Sequence, residues 1–399
     1  MPLELMDDDI GEQATRNGLW TLNFGPQHPA THTTLRLVLQ LDGEVIIDAR
    51  PDIGYLHSGF EKLAEVLDFN QYVTIVDRMN YISPLANEIS WHHACEKLLG
   101  IDLTPRCSYL RTVLAELMRI HDHLLCVGAC ILDLGGITSM FYCLNERERI
   151  FDLCEKASGQ RFHTSFTRVG GLLYDVSEEW LAELKVFIDT FPNTLADLNR
   201  MVLRNRIFIE RTQDVGVLSR EDAINGGATG PVARASGVAR DLRRDEAYLA
   251  YPELDFDVVC ATAGDCFARF QVRMLEIVES LKIIRQCLEQ LPSGPIFAEG
   301  TGKESPPQKR DVYTSIEGLI HHFESIMPNR QMHPPRESLY ACTESPNGEL
   351  GFYIVSDGTL RAYRAHTRSP SLIHFALFPQ LIRGCMLRED IQESVLERL

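Results

Sequence analysis

The sequence predicts an α+β protein with a mainly helical core and small antiparallel sheets near the N- and C-termini. Two features support this prediction. Short apolar runs at 34–41 and 44–49 flank an Asp42-Gly43 pair, which is a strong hairpin signal. The middle of the chain contains long segments in which apolar residues recur every three or four positions, and further strand-like runs follow near the C-terminus.

In chain order, the first strands are predicted at 20–24, 34–41 and 44–49. The helical period is clearest in 264–290, where Phe267, Phe270, Met274 and Ile277 recur on one face. We divide the chain into an N-terminal β-hairpin subdomain, 1–55, and a helical core with a C-terminal β-hairpin, 56–399, together one compact domain. Helices are predicted near 58–69, 84–99, 105–134, 139–157, 178–205, 264–290 and 311–327, and later strands near 339–343, 351–355 and 361–365.

Composition excludes several classes of protein. The 399 residues are 45% hydrophobic, which is ample for a sizeable core, and the net charge of −17 argues against nonspecific nucleic-acid binding. The eleven cysteines include no Cys-x-x-Cys pair, and 1–10 lacks the features of a signal peptide, so we expect reduced thiols in a cytosolic compartment. The longest low-charge run, 124–137, is too short to span a bilayer, so membrane association would require a partner.

A Gly/Pro-bounded turn between the first two strands carries His28 and His32, four residues apart. Histidine gains and loses a proton near neutral pH, and a loop held on a rigid hairpin is a good place to aim such a group. The alternative is that either histidine only caps the turn by hydrogen bonding.

Two further side chains are candidates for chemistry. Tyr81 precedes the Ser83-Pro84 helix start, where its phenol could hydrogen-bond a carbonyl or supply a proton, although packing is the alternative. Asp133 lies in the apolar run 124–137, where a carboxylate needs a partner, and a histidine is a natural one. Alternatively, Asp133 ends a helix and reaches solvent or a local amide.

Other histidines and glycines offer weaker signals. His92 with His93, His121 with His123, and His321 with His322 diverge on a helix, so we interpret them as surface or structural residues. The chain has no zinc-type cysteine and histidine spacing. The glycine-rich stretch 226–230 lacks the spacing and the lysine of phosphate-binding loops, which argues against nucleotide binding.

Several strings taken together resemble the 49 kDa subunit family of respiratory complex I, the D-type subunits of NADH–quinone oxidoreductase, over about residues 20–384. The strings are TLNFGPQHPATH (21–32), DIGYLHSGFEKLAE (52–65), DRMNYIS (77–83), EKLLGI (96–101), LDLGG (132–136), SGQRFH (158–163), RVGGL (168–172), RASGVARDLR (234–243), HHF (321–323) and GELGFYIVSDG (348–358).

This family is similar in turn to nickel–iron hydrogenase large subunits, which implies a hydrogenase-like helical core. A hydrogenase holds its metal with an Arg-x-Cys-Gly-x-Cys motif and a C-terminal Cys-x-x-Cys. Here Asn80 and Ser83 replace the two thiolates of the first motif, Tyr81 replaces the glycine, and no C-terminal Cys-x-x-Cys occurs. Without soft thiolate ligands no metal site is expected. In the family the vacated cavity receives the quinone headgroup.

The resemblance also implies residue roles. His32 and Tyr81 would hydrogen-bond the two quinone carbonyl oxygens, and Asp133 would pair with His32, so these three form the expected catalytic set. Arg78 and His163 would face the terminal iron–sulfur cluster, which belongs to a neighbouring subunit. This chain alone would bind no cofactor, quinone would be the substrate, and NADH would enter at the level of the complex.

The implied function is electron transfer from that cluster to quinone, coupled to proton translocation, within a complex of the bacterial inner membrane in which this chain is peripheral, on the cytoplasmic face. The implied partners are the B-type iron–sulfur, C-type 30 kDa, I-type ferredoxin-like and H-type membrane subunits. The sequence departs from the family pattern at Ser58 and in the charged C-terminal segment 388–399. A non-catalytic scaffold paralogue is therefore an alternative, and a hydrogenase large subunit is a less favoured one.

Overall fold

The computed structural model describes residues 18–28, 31, 34–298, 307, 309–327 and 332–387, and it confirms the α+β prediction. The strands are β1 (Trp20–Phe24), β2 (Arg36–Asp42), β3 (Val45–Asp52), β4 (Thr167–Arg168), β5 (Gly171–Leu172), β6 (Ser338–Ser345), β7 (Gly348–Ser356) and β8 (Ala362–Arg368). The longer helices are α3 (Pro84–Leu99), α4 (Pro105–Asp133), α5 (Ile137–Ser158), α6 (Glu178–Val202), α11 (Cys266–Gln290) and α13 (Ile316–Ile326). The shorter helices are α1 (Phe60–Ala64), α2 (Val73–Val76), α7 (Arg206–Thr212), α8 (Arg220–Asn225), α9 (Gly230–Ala235), α10 (Leu242–Asp245), α12 (Lys309–Thr314), α14 (Pro370–Ala376) and α15 (Phe378–Ile382).

The N-terminal sheet has the antiparallel order β1-β2-β3. Leu37 and Leu39 lie two residues apart on β2, so they point to the same face of the sheet, and both are fully buried. Phe378 of α15 packs in the same apolar cluster. The backbone N–H of Ile46 donates to the Cys385 carbonyl at 2.9 Å. Segments from near the two ends of the chain therefore share one small core.

The main core lies between α4, α5, α6 and α11. Helix α4 begins where the sequence predicts it, because Pro105 suits the first helical position and Thr104 Oγ1 accepts from the Cys107 N–H at 3.3 Å. Helices α4 and α5 approach closely at Gly128, where a Cβ atom would lie 2.7 Å from the Met140 sulfur. Among the described helices, none combines the length and the apolar character needed to cross a membrane.

The C-terminal sheet, in the order β6-β7-β8, packs on α3. Trp91 meets Phe352 edge to face with ring centroids 5.3 Å apart. The glycine stretch 226–230 leads into α9 beside this sheet. A Cβ atom on Gly230, whose φ is +63°, would lie 2.4 Å from the Gly348 Cα. A close approach of two backbones explains glycine at this position.

A buried network of charged side chains links four helices to the C-terminal sheet. Arg234 of α9 pairs with Glu276 of α11 and Glu344 of β6, each at 2.8 Å. Glu116 of α4 accepts from the Tyr251 hydroxyl at 2.6 Å. Further buried members are Arg119, His123, Asp241 and Arg243. Burying so many charges is tolerable only because each has opposite charges and hydrogen bonds around it.

The arginines of the network keep Glu116 and Glu276 ionised. Burial alone would raise the pKa values of Glu116 and Glu276, but the neighbouring arginines outweigh burial and hold both below their usual values. His123 Nε2 lies 2.9 Å from Glu276 Oε2, and burial lowers the pKa of His123, so this histidine is neutral near pH 7. His92 is also buried, with Nδ1 2.7 Å from the Thr167 hydroxyl. The structural interpretation of His92 and His123 is thus confirmed, and neither histidine lies on the surface.

Some predicted boundaries are wrong. The helix predicted over 58–69 ends at Ala64, and the single helix predicted over 311–327 is two helices, α12 and α13. They separate at Ser315, whose Oγ accepts from the Gly318 N–H at 3.0 Å and so begins α13. The β4-β5 hairpin and the short helices α7 to α10 were not predicted, because such short elements carry no clear hydrophobic period. The division of the chain at residues 55 and 56 stays a prediction.

Candidate functional site

Tyr81 lies in a turn, 77–83, that connects α2 to α3. Asn80 holds this turn: its Nδ2 donates to Ser83 Oγ at 2.7 Å and to Asp122 Oδ2 at 3.0 Å. Asn87 Nδ2 on α3 donates to the Asn80 carbonyl at 2.9 Å. The backbone that carries Tyr81 is therefore fixed by hydrogen bonds to α3 and α4.

The Tyr81 side chain is 53% exposed, so its environment is a surface and not the interior. Its ring lies 6.5 Å from the ring of Phe162, which in turn is 5.8 Å from Phe151 and 4.3 Å from the His163 ring. Tyr81 thus stands at the edge of an aromatic group contributed by α5 and by the loop after it. Packing against Phe162 leaves much of the Tyr81 side chain accessible to a ligand or to a partner protein.

Arg78 and His163 are 85 positions apart in the sequence but lie close enough to interact electrostatically. Burial lowers the pKa of His163, and the positive charge of Arg78 lowers it further, against a hydrogen bond to the Asp77 backbone carbonyl that raises it. The imidazole is consequently neutral near pH 7. Arg78 itself is exposed, and its Nη1 donates to the Thr74 carbonyl. The structure therefore brings both predicted cluster-facing residues to one place, next to Tyr81.

The loop that carries His163 has an unusual backbone. His163 and Ser165 have φ values of +50° and +41°, a region that side chains other than glycine rarely adopt. Asp77 compensates for this strain by accepting from the Ser165 N–H at 3.0 Å and from its hydroxyl at 2.8 Å. Such strain persists only where neighbouring groups over-determine the conformation, and it concentrates at functional sites.

Asp133 is the last residue of α4 and is half-buried, with Oδ2 inaccessible to solvent. The structure therefore places Asp133 at a helix end. The sequence left open whether Asp133 is a buried acid with a partner or a helix-end acid that reaches solvent or a local amide, and a half-buried helix end has features of both. His32 lies outside the described residues, so its pairing with Asp133 stays a prediction. Near it in the chain, Thr31 donates to the His28 carbonyl from its N–H at 3.1 Å and from its hydroxyl at 3.0 Å. The described part of this turn is thus compact.

Exposed apolar side chains surround the α4–α5 junction beside Asp133. Ile137 and Phe141 at the start of α5 are 56% and 61% exposed, and Leu132 and Tyr142 are also exposed. Four large apolar side chains are thus exposed on adjoining segments, and clustered exposure of this kind is typical of ligand and protein interfaces.

The described residues contain no group of three or more His, Cys, Asp or Glu side chains arranged to hold a metal ion. None of the eleven cysteines, all of which lie among the described residues, forms a disulfide bond, and most are buried. Burial raises the pKa of Cys143 and of Cys154 to about 12, so both are neutral thiols near pH 7. Their environments are those of packing residues and not of thiolate ligands.

Two acids of the site, Asp77 and Glu88, were not predicted. Both are fully buried, and Glu88 accepts from the backbone N–H groups of Phe166 and Thr167 at 2.8 and 2.7 Å. Glu88 was predictable on the same grounds as Asp133. Glu88 lies in the largely apolar start of α3, where a carboxylate needs a partner. Nothing in the local pattern identifies that partner, which is a loop 76 or more residues further along the chain.

A family model described as "Respiratory-chain NADH dehydrogenase, 49 Kd subunit" matches residues 133–394. The chain is 46% identical to the D 2 subunit of NADH-quinone oxidoreductase from Sinorhizobium medicae over 358 residues, which is 90% of this chain and 88% of that protein. It is 43% identical to the D subunit of NADH-quinone oxidoreductase from Pelobacter propionicus over 370 residues, 93% of this chain and 91% of that protein. The corresponding D subunit from Geotalea uraniireducens is also 43% identical, over 371 residues that cover 93% of this chain and 94% of that protein.

Proposed function

Because the chain belongs to the 49 kDa subunit family of respiratory-chain NADH dehydrogenases, we propose that it forms the quinone site of an NADH–quinone oxidoreductase complex. The observation that carries the proposal is that Tyr81 and Arg78, which are exposed, lie beside the half-buried His163. These residues come from two motifs that are far apart in the chain. Each has a role implied by the family, and the roles require them to be neighbours.

The chemistry divides between this chain and its partner. Quinone reduction takes two electrons and two protons, and the electrons would come one at a time from an iron–sulfur cluster of the neighbouring subunit. This chain would hold the headgroup through hydrogen bonds from Tyr81 and His32. Reduction makes the quinone oxygens basic, so a nearby phenol and imidazolium can protonate them as general acids. Loss of the His32 proton would expose the charge of Asp133, a change that could begin coupling to proton translocation.

Arg78 and His163 would present one positive charge and one neutral imidazole to that cluster. The neutral state of His163 follows from its burial and from the charge of Arg78. A positive charge beside a redox centre favours the reduced form, because reduction adds negative charge.

The rival interpretation as a hydrogenase meets a specific obstacle. Asn80 and Ser83 stand where hydrogenases carry two thiolates, and here they hydrogen-bond each other at 2.7 Å. Neither side chain is a soft ligand, and both are occupied in fixing the turn that carries Tyr81. The same geometry serves a quinone site, because it holds the tyrosine in place.

The partners we propose are the B-type iron–sulfur, C-type 30 kDa, I-type ferredoxin-like and H-type membrane subunits. The exposed Tyr81 and the exposed apolar side chains at the α4–α5 junction support burial of these faces in an assembly. We propose that the chain lies at the cytoplasmic face of the bacterial inner membrane, held there by its partners, and that the assembled complex is a proton translocase. No cofactor is assigned to this chain alone.

Purification of the assembled complex, followed by quinone reduction and quinone-analogue binding, tests this function. A quinone-site subunit predicts analogue binding that competes with quinone and depends on Tyr81. A non-catalytic scaffold predicts assembly without such binding, and that outcome would overturn the proposal.

Tyr81→Phe should weaken quinone reduction by about 1–3 kcal/mol, because it removes one polar contact and keeps the ring on Phe162. Steady-state kinetics of the complex should show a higher KM for quinone, a lower kcat, or both. Tyr363→Phe on β8 is a matched control, since Tyr363 is 70% exposed and lies on the C-terminal sheet. Wild-type kinetics in the Tyr81 variant would mean that the tyrosine only packs.

Asp133→Asn should shift the pH profile of quinone reduction to lower pH. A carboxylate beside His32 stabilises the protonated imidazole, so the neutral amide lets the proton leave at lower pH. The measurement is kcat against pH for the variant and for Asp189→Asn, whose side chain is exposed on α6 and pairs with Arg285 at 3.0 Å. An unchanged profile for Asp133→Asn would refute the pairing with His32.

A further inference from the structure

Asp77 and Glu88 are completely buried, and their carboxyl groups accept from neighbouring residues of one loop, Ser165 for Asp77 and Thr164, Phe166 and Thr167 for Glu88. Two carboxylates are both acceptors, so a hydrogen bond between them would require a proton on one of them. Two negative charges this close in a buried site are also unfavourable. We propose that Asp77 and Glu88 form a proton-binding site that holds one proton, and that this proton fixes the turn carrying His163.

The hydrogen bonds show which acid is ionised. Glu88 Oε1 accepts from the Thr164 hydroxyl at 2.8 Å, and Oε2 accepts from the N–H groups of Phe166 and Thr167 and from the Thr167 hydroxyl at 2.7 to 2.9 Å. Four donors stabilise the charged form of a carboxylate. Glu88 is therefore the ionised partner.

Asp77 has a different set of contacts. Its Oδ2 accepts from the N–H and the hydroxyl of Ser165, whereas Oδ1 is buried and receives no N–H or O–H from the described residues. The proton therefore resides on Oδ1 and is donated to Glu88. In agreement, burial, then the charge of Glu88, then the hydrogen bond to Glu88 raise the pKa of Asp77 to about 8.

The two arginines near the pair, Arg168 and Arg111, direct their hydrogen bonds at other groups. Arg168 Nη1 donates to the carbonyls of Ser165 and Thr167 at 2.6 and 2.7 Å. Arg111 donates to both oxygens of Glu96 at 2.8 and 2.9 Å. Both cations lower the electrostatic cost of ionised Glu88 from a distance. Their hydrogen bonds are directed at other groups, so they do not replace the proton.

Besides Arg168, Arg111 and Arg78, the last of which is next to Asp77 in the chain, His163, His92 and Cys154 lie near the pair and are neutral. His163 hydrogen-bonds the Asp77 carbonyl, and its pKa is lowered by burial and by Arg78. On the Glu88 side, burial lowers the pKa of His92 far below its usual value and raises the pKa of Cys154 to about 12. None of these neutral groups supplies a second positive charge to the pair.

The proton has a structural consequence for the candidate site. Asp77 holds the turn carrying His163, since its carboxyl accepts from the N–H and the hydroxyl of Ser165, one of the two residues of the loop with positive φ. Ionisation of Asp77 would set two buried carboxylates against each other and loosen this strained turn. Asp77 and Glu88 are thus positioning residues for His163. This inference does not depend on the quinone-site role.

The test compares Asp77→Asn with Glu88→Gln in the assembled complex. An asparagine keeps an oxygen for Ser165 and supplies a permanent donor to Glu88, so it imitates protonated Asp77. A glutamine at position 88 loses the charge that four donors stabilise. We expect Asp77→Asn to assemble normally and Glu88→Gln to reduce the amount of assembled complex several-fold. Equal damage from both variants, or greater damage from Asp77→Asn, would overturn the inference.

Unfolding temperature against pH adds a readout that packing alone would not change. Native Asp77 keeps a proton that the unfolded chain loses near pH 4, so the contribution of Asp77 to wild-type stability should fall as pH rises from about 4 to about 8. Asp77→Asn should remove that part of the decline, so its advantage over the wild type should grow across this range. Parallel curves would contradict a proton on Asp77.

Infrared difference spectra between the wild-type complex and Asp77→Asn provide the direct signature and require no quinone turnover. We expect a carboxylic-acid C=O band in the wild type that is missing from the variant near neutral pH. Absence of that band from the wild type would overturn the inference, even if quinone reduction proceeds normally. Conversely, a failed quinone assay with the band present would reject the proposed function alone.

Discussion

Arg234→Met is expected to cost about 3–5 kcal/mol of unfolding free energy, the typical penalty for removing one partner of a buried ion pair. Arg234 is fully buried and is the shared counter-charge of Glu276 and Glu344, at 2.8 Å each. Methionine fills much of the same space, but it leaves both acids without their cation. Denaturant unfolding and the amount of chain recovered in the assembled complex are the measurements.

Two comparisons make this prediction specific to the buried network. Arg206→Met on α7 makes the same chemical change at a side chain that is 89% exposed and pairs with Glu210 on the surface, so stability should barely change. Adding Glu276→Gln to Arg234→Met should recover part of the loss, because one unpaired buried charge is then removed. An Arg234→Met protein as stable as the Arg206 control would show that the network does not hold these helices together.

His32→Ala should lower quinone reduction by roughly 10²–10⁴-fold, the usual contribution of a positioned general acid. The expectation rests on the proposed function and on the place of His32 in the hairpin loop that matches the family motif. Assembly should be unaffected, because position 32 falls between β1 and β2 and within neither strand. The measurement is quinone reduction by the purified complex, normalised to its content of this chain.

His28→Ala is the matched control in the same loop. His28 packs on Phe24 with ring centroids 4.5 Å apart, so its loss should affect local packing more than chemistry. The two variants together separate a proton-donating role from a merely structural role of the loop. Near-normal turnover in His32→Ala, or an equal loss in both variants, would contradict the assignment.

The family resemblance that the motifs indicated is confirmed by the family model and by relatives 43–46% identical over most of the chain. The helices at 84–99 and 105–134 were predicted almost to the residue, because each begins with a proline at the first helical position. The helix predicted over 58–69 was too long, because hydrophobic spacing alone does not locate a helix end.

The candidate site was predictable only in part. Arg78, Tyr81 and His163 were named from the motifs, and the structure brings them together. The supporting acids Asp77 and Glu88 were not named, although they hold the loop that presents His163. The assignments of His32 and Asp133 stay predictions.

The sequence by itself determined the class of fold, the main helices and strands, and the family, because hydrophobic period, turn residues and motifs are local properties of the chain. Only the tertiary structure decided which charges are buried and what neutralises them. Arg234 and Glu344 are 110 positions apart, and Asp77 and Ser165 are 88 apart. The free energy of a buried charge depends on its neighbours in space, so the roles of these acids became visible only once the chain was folded.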